Sequence, residues 1–302
     1  MDLRPLALQA LCEADLEQKL AQVAALKAQA AALSIAPESL LPEPAALPGR
    51  PARPALIDPA KVPQRSVHTP EGRAALIHAI CHIEFNAINL ALDAIWRFAD
   101  MPEDFYRDWL RVAIEEAYHF KLLHEHLRMQ LGHAYGDFPA HDGLWAMCEK
   151  TKDDITARMA LVPRTLEARG LDATPLIQNK LRAVGTPDAL AACDILDVIL
   201  RDEIGHVAIG NRWYGWLCER QSLEPVAHYR ALVRQYGAPR LKGPFNTAAR
   251  QQAGFSAEEL AALTEPPLDH PHTPPAPPAA TMTAGRRCPA PVFFSPRQRS
   301  PA

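Results

Sequence analysis

The sequence lacks several features that would direct it to familiar classes of protein. Its six cysteines form no Cys-x-x-Cys pair, so we expect no zinc ribbon, rubredoxin site or disulfide framework. No run of 18 apolar residues occurs, so no membrane-spanning helix is expected. The formal net charge is −3, so charge alone attracts the chain neither to nucleic acid nor to an anionic membrane.

The chain is also poor in signals for export and for β-structure. Glu13, Asp15 and Glu17 interrupt any hydrophobic region near the N-terminus, so we expect no signal peptide and a cytoplasmic location. Aromatic residues make up 7% of the chain, and no alternating strand pattern is present. Ala, Leu, Glu and Arg are abundant, and this composition predicts an all-α protein.

Capping and turn signals locate four long helices. Thr69-Pro70-Glu71 is a typical helix start, Gly132 a typical end, and Gly185-Thr186-Pro187 a turn between helices. The third helical stretch is expected to begin near Leu144, to be interrupted around Pro163 and to resume to residue 184. We predict an N-terminal helical segment (1–33), a Pro-rich arm (34–66), the four helices (67–222), short C-terminal helices (223–263) and a disordered Pro-rich tail (264–302).

The four helices form two hairpins joined by a crossover, which predicts a four-helix bundle. Two copies of Glu-x-x-His lie on helix faces that are otherwise apolar: Glu116 with His119, and Glu203 with His206. A buried carboxylate costs several kcal/mol unless it is paired, neutralised or bound to a metal. The repeated motif therefore favours a metal site over surface patterning.

A further glutamate lies one helix upstream of each motif. Glu84 and Glu116 are each 16 residues from the turn at Asp100, and Glu167 and Glu203 are each 18 residues from Gly185. At about 1.5 Å per residue, an antiparallel hairpin brings each pair to the same height. Asp153 and Asp154 are alternatives to Glu167.

Four carboxylates and two imidazoles are the ligand set of ferritin-like di-iron and di-manganese carboxylate proteins. Oxygen and nitrogen ligands without thiolate suit iron or manganese, and four carboxylates balance the charge of two divalent ions. We therefore expect two iron ions, with manganese as the alternative. The predicted ligands are Glu84, Glu116, His119, Glu167, Glu203 and His206.

With these residues in place, the chain resembles the ferritin-like superfamily, and it looks most like a bacterial family of ferritin-like proteins of unknown function. The stretches that carry the resemblance include "HAICHIEFNAINLALDA", "EEAYHFKLL", "MALVPRTLEARGLD", "RDEIGHVAIGNRW" and "KGPFN", within residues 50–255. The "EAR" at Glu167 is similar to the third-helix glutamate of the ferritin-like tRNA hydroxylases. The resemblance implies that Glu84 and His119 hold one metal, that Glu167 and His206 hold the other, and that Glu116 and Glu203 bridge them.

Several neighbours of the motifs are candidates to support the ligands. Asp197 and Asp202 are candidates to accept the second N–H of a ligand imidazole. Arg164 and Arg201 are candidates to pair with buried carboxylates, and Tyr118 adjoins the motif of Glu116 and His119. The segment "KGPFN" (242–246) has turn chemistry and one cation, which suits either a clamp for an anionic ligand or a structural cap.

Four functions remain open at this point. The first is an oxidoreductase or hydroxylase that uses O2, an organic substrate and an electron donor protein. The second is a ferroxidase or iron-storage protein, and the third is a peroxide-detoxifying protein. The fourth is a non-catalytic bundle that binds a partner. No membrane partner is expected, and tRNA is kept as a minor option because of the resemblance to the hydroxylase.

Overall fold

A computed structural model describes residues 1–44, 46–239 and 241–264. The all-α prediction is confirmed: these residues contain no β-strand, only two isolated bridges, Asp2–Ser34 and Leu56–Ala140. The part of the predicted disordered tail that follows residue 264 lies outside the described residues. The helices are α1 (Leu3–Cys12), α2 (Leu16–Gln29), α3 (Pro70–Arg97), α4 (Glu103–Leu131), α5 (Gly143–Lys150), α6 (Ile155–Leu161), α7 (Ala168–Val184), α8 (Pro187–Arg220), α9 (Pro225–Tyr236), α10 (Thr247–Gln252) and α11 (Ala257–Thr264), with a π-helical segment at Val162–Glu167 and a short 3₁₀ turn at Pro59–Lys61.

Helices α3 and α4 begin and end close to the positions that the sequence predicts. Thr69 caps α3, its Oγ1 accepting a hydrogen bond from the Gly72 backbone N–H at 3.1 Å, and Pro70 occupies the first turn. Gly132 ends α4 in the left-handed conformation, at φ 68°, where a side chain would be strained. Gly185 ends α7 in the same way, at φ 70°.

The long helices pack as antiparallel neighbours. In the α3–α4 hairpin, Cys81 lies against the backbone carbonyl of Phe120 and Glu84 lies against His119, so positions advance in opposite directions. In α7–α8, Gln178 donates to the Asp197 carboxylate and to a backbone carbonyl of α8. Helices α4 and α8 are also antiparallel, which brings one helix of each hairpin to the middle of the molecule.

The third helical stretch differs from the prediction in where it breaks. The break lies at 151–154, between α5 and α6, and Asp154 caps α6 by accepting from the Ala157 N–H at 2.9 Å. Around Pro163 the chain does not leave the helix, but widens into the π segment and continues as α7. An extra residue in a helical turn is the usual form of a π segment, and it rotates everything that follows.

In α7, a proline leaves one backbone carbonyl without its usual partner, and a side chain compensates. Pro175 has no N–H for the carbonyl of Leu171, which accepts instead from Asn246 Nδ2 at 3.2 Å. Helix α7 therefore continues through Pro175. In the π segment, the Thr165 hydroxyl donates to the carbonyl of Ala160 at 2.7 Å.

The N-terminal helices share one apolar core with the four long helices. Leu3, Leu11, Leu20 and Val23 are buried in the same cluster as the inner residues of α3, α4 and α8. The Pro-rich arm continues over the surface and meets the crossover at the Leu56–Ala140 bridge. A smaller cluster joins α10 and α11 to the outer face of α7 and α8.

Helix α3 is the one described helix that is long and apolar enough to cross a membrane. The mean hydropathy of its most apolar stretch is 1.4, but 72% of that stretch is buried inside the molecule. Core helices of soluble proteins show the same combination, so the hydropathy of α3 is explained by the core that it fills.

Candidate metal centre

Four helical elements place polar side chains in the apolar core, and ligand atoms of five of these side chains lie close together in two groups. Helix α3 contributes one glutamate, α4 and α8 each contribute a glutamate and a histidine, and the last residue of the π segment contributes another glutamate. All six side chains are buried. They are the six predicted ligands, Glu84, Glu116, His119, Glu167, Glu203 and His206.

The imidazole of His119 connects the two helices of the first hairpin. Its Nδ1 lies 3.3 Å from Glu84 Oε2 and 3.3 Å from Glu116 Oε2. The i and i+3 spacing of Glu116 and His119 places both side chains on one face of α4, and α3 supplies Glu84 from the opposite side. A ligand atom from each of the three residues lies within 4.8 Å of the others.

The imidazole of His206 occupies the corresponding position in the second half. Its Nδ1 lies 2.9 Å from Glu116 Oε1 and 3.9 Å from Glu203 Oε2. Glu116, Glu203 and His206 form a second group with ligand atoms within 4.8 Å of one another. Glu116 belongs to both groups, so its two oxygens face both imidazoles.

Each of the two imidazoles donates the N–H of its second nitrogen to a carboxylate on the other hairpin. His119 Nε2 lies 3.1 Å from Asp202 Oδ2, and His206 Nε2 lies 2.7 Å from Glu115 Oε2. Such contacts orient the ring and leave Nδ1 facing the centre. Asp202 was among the predicted neighbours, whereas Glu115 was missed.

Burial and mutual repulsion raise the pKa of three of the glutamates. Desolvation, followed by the charge of Glu116, raises the pKa of Glu84 to about 8 and that of Glu167 to about 8. The same two causes raise the pKa of Glu203 well above its usual value. Without a cation these carboxyls therefore hold protons near neutral pH.

The remaining three groups carry charge in the absence of a metal. Burial by itself would raise the pKa of Glu116, but the charge of His206 and the hydrogen bond of His119 lower it. Burial would likewise lower the pKa of His119, but its hydrogen bonds to Glu116 and Glu84 raise it to about 12. The pKa of His206 is also raised, against burial, by Glu116 and Glu115.

Several buried oxygen and nitrogen atoms of the candidate centre have no hydrogen-bond partner. Both oxygens of Glu167, one oxygen of Glu203, Oε1 of Glu116 and Nδ1 of His206 make no hydrogen bond. The last two atoms are 2.9 Å apart, but their orientation is not that of a donor and an acceptor. Once their protons are removed, these atoms present lone pairs that no hydrogen-bond donor satisfies, and such lone pairs suit a cation, so the residues fit a metal site.

The other predicted neighbours lie elsewhere. Asp197 accepts from Gln178 Nε2 at 2.6 Å and does not contact a ligand imidazole. Arg164 pairs with Glu259 and Asn211 rather than with a metal-site carboxylate, and Arg201 pairs with Asp202. Tyr118 is 51% exposed, with its ring centroid 6.4 Å from that of His119.

The segment "KGPFN" has a structural role. Asn246 caps α10 by accepting from the Ala249 N–H at 3.2 Å, and its backbone N–H donates to Asp172. Together with the bond to the Leu171 carbonyl, these contacts attach α10 to α7. They favour the cap over the clamp among the two alternatives for this segment.

Comparison with known proteins places the chain in a family. The model of the DUF455 family, described as "Protein of unknown function", matches residues 12–261. An uncharacterized protein of Haemophilus influenzae is 53% identical over 217 residues, which cover 70% of this chain and 74% of that protein. No solved structure matches the chain significantly. The chain therefore belongs to the DUF455 family.

Proposed function

We propose that this protein is a ferritin-like di-iron carboxylate protein that uses O2 to oxidise or hydroxylate an organic substrate. The observation that carries the proposal is a set of six buried side chains from four helical segments: five of them form the two groups that share Glu116, and four of the six have oxygen or nitrogen atoms without a hydrogen-bond partner. In ferritin-like bundles, two helical hairpins are joined by a crossover, and each hairpin contributes a Glu and then a Glu-x-x-His motif.

Charge supports two divalent ions rather than one. The four glutamates carry four negative charges when ionised, and two neutral imidazoles add none. Two divalent cations would balance these charges in the apolar core, whereas the metal-free centre must hold protons instead. Iron and manganese both accept such mixed oxygen and nitrogen ligands. Two Fe(II) ions would supply the electrons and the open positions that O2 activation needs.

The residues of the chain would hold and orient that pair. Glu116, whose two oxygens face both imidazoles, would hold the metals together with Glu203, which belongs to the second group. Glu84 and Glu167 would close the two ends of the centre. Asp202 and Glu115 fix the rings so that each Nδ1 remains directed to the metals.

The proposal includes an electron donor protein. Hydroxylation by O2 places one oxygen atom in the substrate and the other in water, which requires two further electrons and two protons. Asp202, which contacts His119, retains 17% side-chain exposure, so the centre lies within a short distance of the surface on this side. The substrate is an organic molecule whose chemistry the ligand set does not specify.

Metal content tests the proposal. Protein made without a metal-binding tag should contain about two iron ions per chain after anaerobic Fe(II) loading. The Glu116→Ala/Glu203→Ala variant should lose them. Glu125→Ala/Glu219→Ala, two exposed glutamates on the same helices, is the matched control and should retain them.

The other outcomes separate the alternatives. No metal in wild-type protein would refute the proposal in favour of a partner-binding bundle. A large hollow oligomer that oxidises Fe(II) without an organic substrate would favour iron storage. Manganese together with O2 release from hydrogen peroxide would favour peroxide removal.

A further inference from the structure

A second feature of the molecule lies outside the candidate metal centre. A partly open cavity of about 70 Å³ lies between the π segment and the C-terminal helices α9, α10 and α11. None of the six metal-site residues lines it. Its walls combine arginine side chains with aromatic and aliphatic ones, among them Arg164, Val226, Tyr229, Arg250, Phe255 and Glu259.

Arg250 is a fully buried cation with an unused donor. Its Nε and Nη2 donate to the Asp172 carboxylate at 3.0 and 2.6 Å, and Nη2 also donates to the Ala168 carbonyl. Its Nη1 is buried and has no hydrogen-bond partner. A buried charged donor without an acceptor is destabilising, so Nη1 is available to a hydrogen-bond acceptor from a ligand.

Aromatic rings hold the guanidinium of Arg250 in place. The ring centroids of Phe245 and Phe255 lie 5.4 and 5.2 Å from its central carbon. Phe255 also lies 5.0 Å from the guanidinium of Arg164, which Tyr229 approaches at 5.0 Å. The cavity wall is therefore a preformed set of cations and rings rather than a mobile surface.

The carboxylates already present limit the charge of a ligand. Glu259 lines the cavity and pairs with Arg164, and Asp172 pairs with Arg250. Both carboxylates would repel a doubly charged phosphate more strongly than they would repel a monoanion. Val226 and other aliphatic side chains of the lining suit a short hydrocarbon part.

We propose that this cavity binds a small organic carboxylate. One oxygen of its carboxylate accepts from Nη1 of Arg250, and its short aliphatic part lies among the aliphatic and aromatic side chains of α9 and α11. The proposal does not rest on the metal centre, since no ligand of that centre takes part.

The site has a direct connection to the metal-site helix. Arg164 lies three residues before Glu167 in the same π segment, and Gly210 of α8 packs against the residue before Arg164. A carboxylate bound beside Arg164 would therefore stabilise the segment that ends in Glu167.

Calorimetric titration of the full-length protein with butyrate tests the proposal. We expect saturable binding with a Kd on the order of 1 mM. Butanamide, which has nearly the same shape without the charge, should bind at least tenfold more weakly, and inorganic phosphate should bind no better than butanamide. Ala262→Phe, which fills the cavity, should abolish butyrate binding. Ala248→Phe, an exposed position on α10, is the matched control and should retain it.

Three results would overturn the proposal: no saturable binding of butyrate, equal binding of butyrate and butanamide, or tighter binding of phosphate than of butyrate. Retained butyrate binding by the folded Ala262→Phe variant would place any site elsewhere and would also overturn it. Leu241→Trp fills the same cavity from another side and serves if Ala262→Phe does not fold.

Discussion

The acidic residue that precedes each Glu-x-x-His glutamate contacts the imidazole of the opposite hairpin. Asp202 contacts His119, and Glu115 contacts His206. Each contact joins residues more than 80 positions apart, because α4 and α8 lie side by side and antiparallel. A residue adjacent to a ligand is rotated by about 100° around its helix, which directs it to the neighbouring helix rather than to its own motif.

Replacing Glu115 by alanine should weaken metal binding without abolishing it. The His206 ring would lose its orienting partner, and general experience with such partners predicts a 10–100-fold loss of affinity. Competition with a chelator measures the effect. Glu125→Ala, an exposed glutamate of the same helix, should leave the affinity unchanged. Equal affinities for Glu115→Ala and wild type would contradict the assigned role.

His78 should make the protein sensitive to mild acid. Its Nε2 accepts from the Gly136 N–H at 2.9 Å, so the buried ring is neutral. Burial, together with His133 and against the charge of Asp137, lowers the pKa of His78 to about 4. The unfolded chain takes up a proton near pH 6.5 and the folded protein does not, so stability is lost as the pH falls from 6.5 towards 4.

The loss attributable to His78 should be about 1–2 kcal/mol between pH 7 and pH 5. Urea unfolding at both pH values measures it. His78→Gln keeps an acceptor for Gly136 but cannot titrate, so its stability should change less between the two pH values. The exposed His68→Gln should behave as wild type. A change in His78→Gln as large as that of wild type would rule out this origin.

At the scale of elements, the π segment depends on a glycine in the opposite helix. A Cβ at position 210 would lie 2.6 Å from Cβ and 2.8 Å from Cγ of Pro163, closer than such atoms approach. Gly210 therefore gives the widened turn the room that it needs beside α8. Glu167 is the last residue of that turn.

Gly210→Ala should destabilise the protein by about 1–3 kcal/mol through this overlap, although alanine favours a helix by about 1 kcal/mol. Gly215→Ala, in the same helix with nothing within 4 Å of the added carbon, is the control and should be neutral or stabilising. Denaturant unfolding compares the two. Similar stabilities for both variants would mean that the π segment shifts without cost.

At the scale of the whole molecule, buried cations tie the N-terminal helices to α3. Arg4 is 1% exposed, and its guanidinium donates to the Ile95 and Trp96 carbonyls at the end of α3. It also donates to three carbonyls of the following arm, at residues 36, 37 and 39. Lys19 of α2 similarly donates to Asn89 of α3 at 2.7 Å.

Arg4→Met should lower the free energy of unfolding by about 3 kcal/mol, because several buried carbonyls lose a charged donor. Lys27→Met, at an exposed position of α2, should change it by less than about 0.5 kcal/mol. Chemical unfolding measures both. Iron content should stay at the wild-type level in each, since neither residue is near the centre. A stability of Arg4→Met equal to that of Lys27→Met would contradict the anchoring role.

The sequence by itself determined the helices and the composition of the candidate site. Caps, prolines and terminal glycines act within a few residues of where they stand, so Thr69, Gly132 and Gly185 marked the ends of helices correctly. The period of 3.6 residues placed Glu116 and His119 on one face in the same way. These effects are local, so a short stretch of the sequence is enough to reveal each of them.

Only the tertiary structure decided how distant residues meet. Whether the chain breaks or widens at Pro163 depends on the space left by Gly210, and the partner of His206 depends on how α4 lies beside α8. Arg164, a candidate to pair with a buried carboxylate near the motifs, pairs with Glu259 in the C-terminal helices. Each outcome is set by packing between residues far apart in the chain, and no local pattern encodes the angle at which two helices meet.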